Sequence, residues 1–428
     1  MIGAPPSLRR IKVEVLRPGD IVLTATTGKV SKLVRTATNG IVSHAMICVQ
    51  NGSTIDSTDA GVQASNIQRE LYDPDDIVVV LRLREALDEV RLLQLIDFAR
   101  SEVGTRYSKI EALRAVLPGP KPRTKQMFCS RLVARAYAAV GVQLVHDPDY
   151  CSPEDLRASP MLVELPDATE HVSGEELAAW GARPNPIAEM QRMQNEILSV
   201  ARSLNPSVEN FNDLDSFVQR HPEHDDVIAA AYRDSGYLDL WRADFAINPW
   251  HYDFNAMDAI TSDRSLRDLR EYSIGTIREF HTGGLRYAVN LAHCERAIQV
   301  GGGLFSAQLV TLYRQLVRND QTRRDVALVW LRRYFPADAK RHLQRIVPHS
   351  ELWFSIVDRV EPRLAAIARA NIQCMGTDTG CSSCGDPAED YLLVNSAEAM
   401  PGVPSLRLCS DCVAIRRGYG EILVSIDE

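Results

Sequence analysis

A short amphipathic run that opens with Phe128-Cys129 most constrains what this chain can fold into. Its apolar residues share one helical face and are Leu132, Val133, Ala136, Tyr137 and Val140. Gly141 ends the run, so the pattern predicts a helix that starts at about Cys129 and packs on a sheet. In the first turn of a helix, unpaired backbone N–H groups favour a thiolate and raise its nucleophilicity. Cys129 is therefore a candidate nucleophile, with a buried structural cysteine as the alternative.

The composition indicates a globular chain of about three domains, because 428 residues exceed one folding unit and 45% of them are hydrophobic. A formal net charge of −8 argues against nucleic acid as a partner. Residues 1–20 lack the apolar core of an export signal, and no run of about 18 apolar residues occurs. We therefore expect a soluble, cytoplasmic protein without a transmembrane segment, which only a specialised secretion system would deliver elsewhere. The nine cysteines then favour thiols and metal ligands over disulfides.

Two predicted strands meet at Asn51-Gly52, and the turn type decides which side chains face each other. A two-residue turn would place His44 opposite Asp59. A three-residue turn with a left-handed glycine would place Ile47 opposite Ile55. The second register pairs apolar with apolar residues, so we expect that register.

In this register His44 and Asp56 are diagonal neighbours on one face of the hairpin. A carboxylate beside an imidazole fixes its tautomer and stabilises its charged form, as a base serving a nucleophile requires. A surface histidine beside a solvated aspartate is the alternative. The pattern also predicts strands at 21–23 and 77–81, a helix from about Glu85 to Val103, and an extended basic loop at 117–123.

Several motifs occur in a distinctive order. They are Pro18-Gly19-Asp20-Ile21-Val22, Ser43-His44-Ala45-Met46-Ile47, Asp56, Gly104-x-x-Tyr107, Phe128-Cys129-Ser130-x-Leu132-Val133 and Ser152-Pro153-Glu154-Asp155-Leu156. This order is similar to that of YiiX/YebB-like proteins, the circularly permuted branch of the papain-like NlpC-type cysteine hydrolases. In that branch the histidine strand precedes the cysteine helix. The resemblance covers the segment 12–172.

The resemblance implies an α+β fold in which an antiparallel sheet packs on helices. It implies Cys129 as nucleophile, His44 as base and Asp56 as the residue that orients the imidazole. Relatives often carry glutamate at the third position, so Asp59 or a backbone group stays an alternative partner. Tyr107 is a candidate oxyanion or substrate contact, with an ordinary core-edge tyrosine as the alternative.

These residue types predict hydrolysis of an amide or ester bond. The Cys129 thiolate would attack a carbonyl, His44 would protonate the leaving group, and water would resolve the thioester. An acyltransferase or lipid deacylase could use the same cysteine. The acyltransferase branch similar to lecithin:retinol acyltransferase carries Asn-Cys-Glu-His-Phe, whereas this chain has Phe128-Cys129-Ser130-Arg131-Leu132, which disfavours that branch.

The region 186–373 shows helical periodicity and predicts an all-α domain. Its later amphipathic runs are 305–318 and 322–335, the second ended by Pro336. The cluster 221–226, rich in histidine and acidic residues, could bind a metal, but a turn at a helix start explains it better.

The segment 374–428 contains two Cys-x-x-Cys pairs, Cys381/Cys384 and Cys409/Cys412. Four thiolates in this spacing predict a structural Zn²⁺ site that stabilises the small module by on the order of 10 kcal/mol. The second pair opens a helical stretch, which is typical of a treble clef or a zinc ribbon. A redox role for either pair is the alternative, and Cys374 has no assigned place.

We therefore expect three parts, a hydrolase domain at 12–172, an all-α domain at 186–373 and a zinc module at 374–428. The substrate would be a peptide, an amide or an acyl compound. The α-domain or the zinc module would bind a protein partner and select the target. A catalytically silent scaffold that only binds is the remaining hypothesis.

Overall fold

A computed structural model describes most of the chain. The described residues are 8–50, 52–116, 124–262, 265–278, 284–343, 346, 349–375, 379–394, 405–418 and 420–426. The chain divides into two compact units, Met1–Gln344 and Arg345–Glu428, and each is described by itself. The predicted α+β class is confirmed, with an antiparallel sheet first, helices after it and a cysteine cluster near the C-terminus. The division into three domains stays a prediction.

The first unit contains a six-stranded antiparallel sheet with the strand order β5-β4-β3-β2-β6-β7. Its strands are β2 (Ile21–Ala25), β3 (His44–Gln50), β4 (Ser53–Thr58), β5 (Gly61–Asn66), β6 (Ile77–Leu83) and β7 (Leu162–Glu164). A second, two-stranded sheet pairs β1 (Arg9–Ile11) with β8 (Thr169–His171). The strands at 21–23 and 77–81 are thus confirmed, with slightly longer bounds.

The register of the β3–β4 hairpin matches the one chosen from apolar pairing. Ile47 lies opposite Ile55 and Met46 lies opposite Asp56. The predicted three-residue turn is wrong, because Gln50 pairs with Ser53 and only two residues separate the strands there. A register shift between Cys48 and Gln50 brings the apolar residues opposite each other instead. Gly52 has the expected left-handed conformation, with a φ of 70°. Asn51 lies outside the described residues.

Five helices belong to this part of the first unit. They are α1 (Lys29–Thr38), α2 (Glu89–Ser101), α3 (Lys109–Val116), α4 (Cys129–Ala139) and α5 (Pro153–Arg157). Helix α4 begins at Cys129, as predicted, and Gly141 follows it with a φ of 77°. Helix α2 begins at Glu89 and not at Glu85, because the side chain of Asp88 accepts a hydrogen bond from the first turn and caps the helix. The expected basic loop at 117–123 lies outside the described residues.

Both faces of the sheet are buried. One face packs against α2 and α4, and its buried residues include Leu23, Ala45, Ile47, Ile55, Leu132, Val133 and Ala136. The opposite face carries a second apolar cluster that includes Ile11, Val22, Met46, Cys48, Ile67, Tyr72 and Val80. The face that holds His44 and Asp56 therefore adjoins an apolar core, with Asp56 buried and His44 partly buried.

The rest of the first unit is helical. Its helices are α6 (Gly174–Gly181), α7 (Pro186–Leu204), α8 (Phe211–Arg220), α9 (Asp225–Asp234), α10 (Arg242–Ile247), α11 (Phe254–Ala259), α12 (Leu266–Arg278), α13 (Gly284–Gln299), α14 (Leu304–Tyr334) and α15 (Pro336–His342). The runs 305–318 and 322–335 both fall on the single helix α14, apart from Phe335, which follows it. Its buried Asn319 and Asp320 interrupt the apolar pattern between two apolar clusters without breaking the helix.

The second unit contains α16 (Glu351–Val360), α17 (Pro362–Met375), β9 (Glu389–Leu393), β10 (Leu406–Leu408), α18 (Ser410–Gly418) and β11 (Leu423–Ser425). Its strands form an antiparallel sheet in the order β10-β9-β11. The side chain of Cys374 lies outside the described part. Across all the described residues, no helix has the length and apolar character needed to span a membrane.

Candidate active site and metal centre

The first residue of β3 and the first residue of α4 meet in space. The imidazole of His44 and the thiol of Cys129 lie close enough to shift each other's pKa. Cys129 is 7% exposed, and the backbone of Ala45 and Ser130 also favours its charged form. The thiol thus lies where a helix N-terminus and an imidazole both favour negative charge.

Asp56 is the carboxylate that reaches the imidazole. Its Oδ2 lies 2.7 Å from Nε2 of His44, and the residue is 8% exposed. Because Nε2 faces Asp56, Nδ1 is the ring nitrogen left to face the thiol of Cys129. Asp59 is instead exposed and pairs with Lys109, with 3.2 Å between Nζ and Oδ2. Aspartate is therefore long enough at this position to reach the imidazole.

The two partners shift each other's ionisation. Burial opposes the charged form of His44, but the charge of Cys129 and the hydrogen bond to Asp56 outweigh it and raise the pKa of the imidazole well above its usual value. Burial also opposes ionisation of Cys129, yet the charge and hydrogen bond of His44 lower the pKa of the thiol. The pair consequently favours a thiolate beside an imidazolium, the reactive form of a nucleophilic cysteine.

Tyr107 lies beside the same thiol. Backbone pairing with Met127 places Tyr107 next to the residues that lead into α4. Burial and the charges of Cys129 and Asp59 raise the pKa of its phenol. The hydroxyl therefore stays protonated and can donate a hydrogen bond, although its role as an oxyanion or substrate contact stays a prediction.

The N-terminal segment of the chain is similar to a known enzyme family. Residues 15–154 match the family model of the permuted papain-like amidase enzymes, the YaeF/YiiX or C92 family. This segment is therefore similar to that family. The match confirms the resemblance for residues 15–154, hereafter the C92 domain, and supports a thiol-dependent hydrolase. The match covers a third of the chain, and the fusion to the later regions is not part of it.

The chain also has some similarity to a solved structure, that of the metalloprotein YiiX from Escherichia coli O157:H7. It is 16% identical in sequence, and the alignment covers 35% of this chain and 96% of that chain with a TM-score of 0.28. No curated protein matches the chain.

Arg131 is a buried charge in the C92 domain that the sequence pattern did not single out. Its side chain is 1% exposed, and Nη1 donates to Oε2 of Glu111 at 2.5 Å. The same guanidinium donates to the carbonyl oxygens of Gln126 and Asp149 at 2.8 and 2.9 Å and lies over the ring of Phe128. These contacts tie α3 and the residues before Cys129 to α4. The one sequence signal was a charged residue directly beside the apolar face of the run.

Glu70 also lies near the site of the C92 domain and was missed. Burial and the charge of Asp56 raise the pKa of its carboxyl, whereas the charge of His44 acts in the opposite direction. Glu70 follows the short 3-10 turn Ile67–Arg69. No sequence motif marks this position, because its proximity to the site arises only from the fold.

The C-terminal unit brings its four predicted metal ligands together. The sulfurs of Cys381, Cys384, Cys409 and Cys412 all lie within 4.8 Å of one another. The sulfurs of Cys384 and Cys409 are 3.4 Å apart. A tetrahedral Zn²⁺ with bonds of about 2.3 Å separates its sulfurs by about 3.8 Å, so the four donors fit such an ion.

Local structure explains how the module holds these sulfurs. The first pair precedes β9, Cys409 follows β10, and Cys412 lies in the first turn of α18. The backbone N–H of Ser383 donates to the sulfur of Cys381, and both the backbone and the hydroxyl of Ser382 donate to the carbonyl oxygen of Arg407 at 2.7 Å. A helix that begins at the second pair favours the treble clef over the zinc ribbon.

The histidine-rich cluster 221–226 does not form a comparable site. Residues 222–224 make a 3-10 turn and Asp225 begins α9, as the turn interpretation expects. Within the part of the chain that the structure describes, the four cysteines are the one group of at least three His, Cys, Asp or Glu side chains close enough to hold a metal.

Proposed function

We propose that the C92 domain hydrolyses an amide bond through a thioester on Cys129. The family supplies the coarser statement, a cysteine hydrolase of amidase type. The more specific proposal, a thioester mechanism at Cys129, is supported by the position of the His44 imidazole between the Cys129 thiol and the Asp56 carboxylate. A surface histidine would have neither a buried carboxylate nor a second partner.

The steps follow from these positions. The thiolate of Cys129 attacks the carbonyl carbon, and the oxyanion accepts hydrogen bonds from backbone N–H groups at the start of α4 and from the Tyr107 hydroxyl. The imidazolium of His44 gives its proton to the leaving nitrogen as the C–N bond breaks, which leaves a thioester. Neutral His44 then takes a proton from water, the resulting hydroxide attacks the thioester, and the acid and the thiol are released. Asp56 orients the ring and stabilises its charged form throughout.

The test is alkylation of Cys129 by iodoacetamide at pH 7, followed by peptide mass spectrometry of the full chain. We expect labelling faster than that of free cysteine, and a loss of this excess in His44→Ala. Labelling no faster than free cysteine would contradict the proposal and favour the silent scaffold. Incubation with a panel of peptide anilides, isopeptides and acyl esters, with an added amine acceptor, then separates hydrolysis from acyl transfer by the product formed.

We further propose that Cys381, Cys384, Cys409 and Cys412 hold a structural Zn²⁺. Four thiolates leave no open position for substrate, so the ion would stabilise the module and take no part in catalysis. Metal analysis of the purified chain should find one zinc per molecule, and a variant in which Cys384 and Cys412 are both replaced by serine should lose it. Disulfides within the two pairs, seen as a mass loss without bound metal, would instead support the redox alternative.

A further inference from the structure

Helix α5 and the segment that leads into it contact the residues next to Cys129 and the residues that precede His44. On the cysteine side, the hydroxyl of Ser130 donates to the carbonyl oxygen of Cys151 at 2.7 Å. Both residues are buried, with exposed fractions of 1% and 2%. The residue next to the nucleophile is thereby tied to the segment that leads into α5.

On the histidine side, Glu154 of α5 holds the backbone that leads into β3. Its Oε2 accepts hydrogen bonds from the N–H groups of Ile41 at 2.9 Å and Val42 at 3.4 Å. A carboxylate that accepts backbone N–H groups forms stronger hydrogen bonds than a neutral acceptor. Gly40 permits this approach, because a Cβ there would lie 2.4 Å from the carboxylate oxygen. The anchored residues immediately precede Ser43 and His44.

The helix that carries Glu154 is itself fixed. Ser152 and Asp155 form a reciprocal capping box, in which each side chain accepts a hydrogen bond from the other residue's backbone N–H. Pro153 and Leu156 are buried. The motif 152–156 is one of the motifs that carry the family resemblance. It forms a short rigid helix from which Glu154 projects.

We propose that Glu154 is a positioning residue that sets the distance and angle between the imidazole of His44 and the thiol of Cys129. This inference rests on the proposed function of that pair. Without the carboxylate, two N–H groups lose their partner and the entry to β3 is free to shift. A displacement of about 1 Å at a reacting group costs on the order of 100-fold in rate.

The experiment measures the pH profile of Cys129 alkylation by iodoacetamide in the full chain. Glu154→Ala should slow labelling at pH 7 at least tenfold and move the inflection to higher pH, because the thiolate loses its aligned imidazolium. Glu154→Gln keeps an oxygen that can accept the same N–H groups, so it should stay within about threefold of the parent. Glu154→Asp keeps the charge but is too short for both N–H groups, and should fall between them. Should the alanine variant fail to fold, the aspartate variant carries the test.

Arg157→Ala is the matched control. Arg157 contacts Oε1 of Glu154 at 2.5 Å and not the N–H groups, so its loss should leave the profile of the parent. A folded Glu154→Ala with the parent's inflection overturns the inference, and so does a glutamine variant as impaired as the alanine variant. If labelling of the parent does not depend on His44, the proposed function is refuted. The experiment therefore distinguishes failure of the proposed function from failure of the Glu154 inference.

Discussion

Cysteines lie in the first turn of a helix in both units, and the two settings differ in what neutralises the thiolate. In the C92 domain, Cys129 opens α4 beside the imidazole of His44. In the second unit, Cys412 lies in the first turn of α18, and the hydrogen bonds of the cysteine cluster run to other sulfurs, to Ser383 N–H and to the Asp386 carboxylate. An imidazole creates one reactive thiolate, whereas four cysteine sulfurs within 4.8 Å of one another suit a metal ion.

Metal removal should have the largest effect, and it should affect the cysteine module without affecting Cys129. Chelation of the full chain should unfold the cysteine module, because structural zinc contributes about 10–16 kcal/mol to such modules. All four module thiols should then react with a thiol reagent, while the alkylation rate of Cys129 stays within about twofold of its starting value. Mass spectrometry of the labelled peptides reports both results. A module that keeps its thiols protected after the metal is gone would show that packing alone stabilises it.

The reciprocal test removes the nucleophile. Cys129→Ala should lower amide hydrolysis by on the order of 10⁶-fold, since loss of a covalent nucleophile leaves only binding and oxyanion stabilisation. Cys384→Ser is the control, and should lower zinc content without a comparable loss of turnover. Hydrolysis that survives in the alanine variant would assign the chemistry to another group.

A smaller effect is expected from the ion pair that holds α4. Arg131→Met leaves the carboxylate of Glu111 buried without its partner, which costs about 3–5 kcal/mol in free energy of unfolding. The control is Arg135→Met on the same helix, whose partner Asp149 is 3.6 Å away and partly exposed. That pair contributes at most about 1 kcal/mol. Denaturant titration of both variants measures the difference, and equal losses would show that burial of Arg131 adds nothing.

The same comparison shows which features a sequence can reveal. Local patterns predicted α4, the β3–β4 register and the cysteine pairs, because helical period, apolar matching and Cys spacing are properties of a few neighbouring residues. Pairing Ile47 with Ile55 was enough to predict that His44 lies beside Asp56 and that Asp59 is not opposite His44.

Local sequence patterns did not predict the contacts between distant segments. Glu154 meets Ile41 across 113 positions, and Arg131 finds Glu111 across 20, so no local period records either contact. Asn319 and Asp320 look like an interruption in the pattern, but tertiary burial overrides the local preference and the helix continues.

The smallest effect tests the carboxylate behind the imidazole. Asp56→Asn removes the negative charge that helps raise the pKa of His44. His44 then stays protonated over a narrower pH range, and the Cys129 thiolate that it stabilises forms only at higher pH. The pKa of Cys129, which lies below its usual value in the parent, should rise toward or beyond that value of about 8.5. A rise of about one unit corresponds to a tenfold slower alkylation on the acid side of the inflection.

Asp59→Asn supplies the matched control, because Asp59 is exposed and pairs with Lys109. Its pH profile should overlay that of the parent. If the two variants shift the inflection equally, the effect comes from the general negative charge of the hairpin and not from the hydrogen bond at 2.7 Å. If only Asp56→Asn shifts it, the buried carboxylate acts through the imidazole, since an exposed charge a few residues away is screened by water.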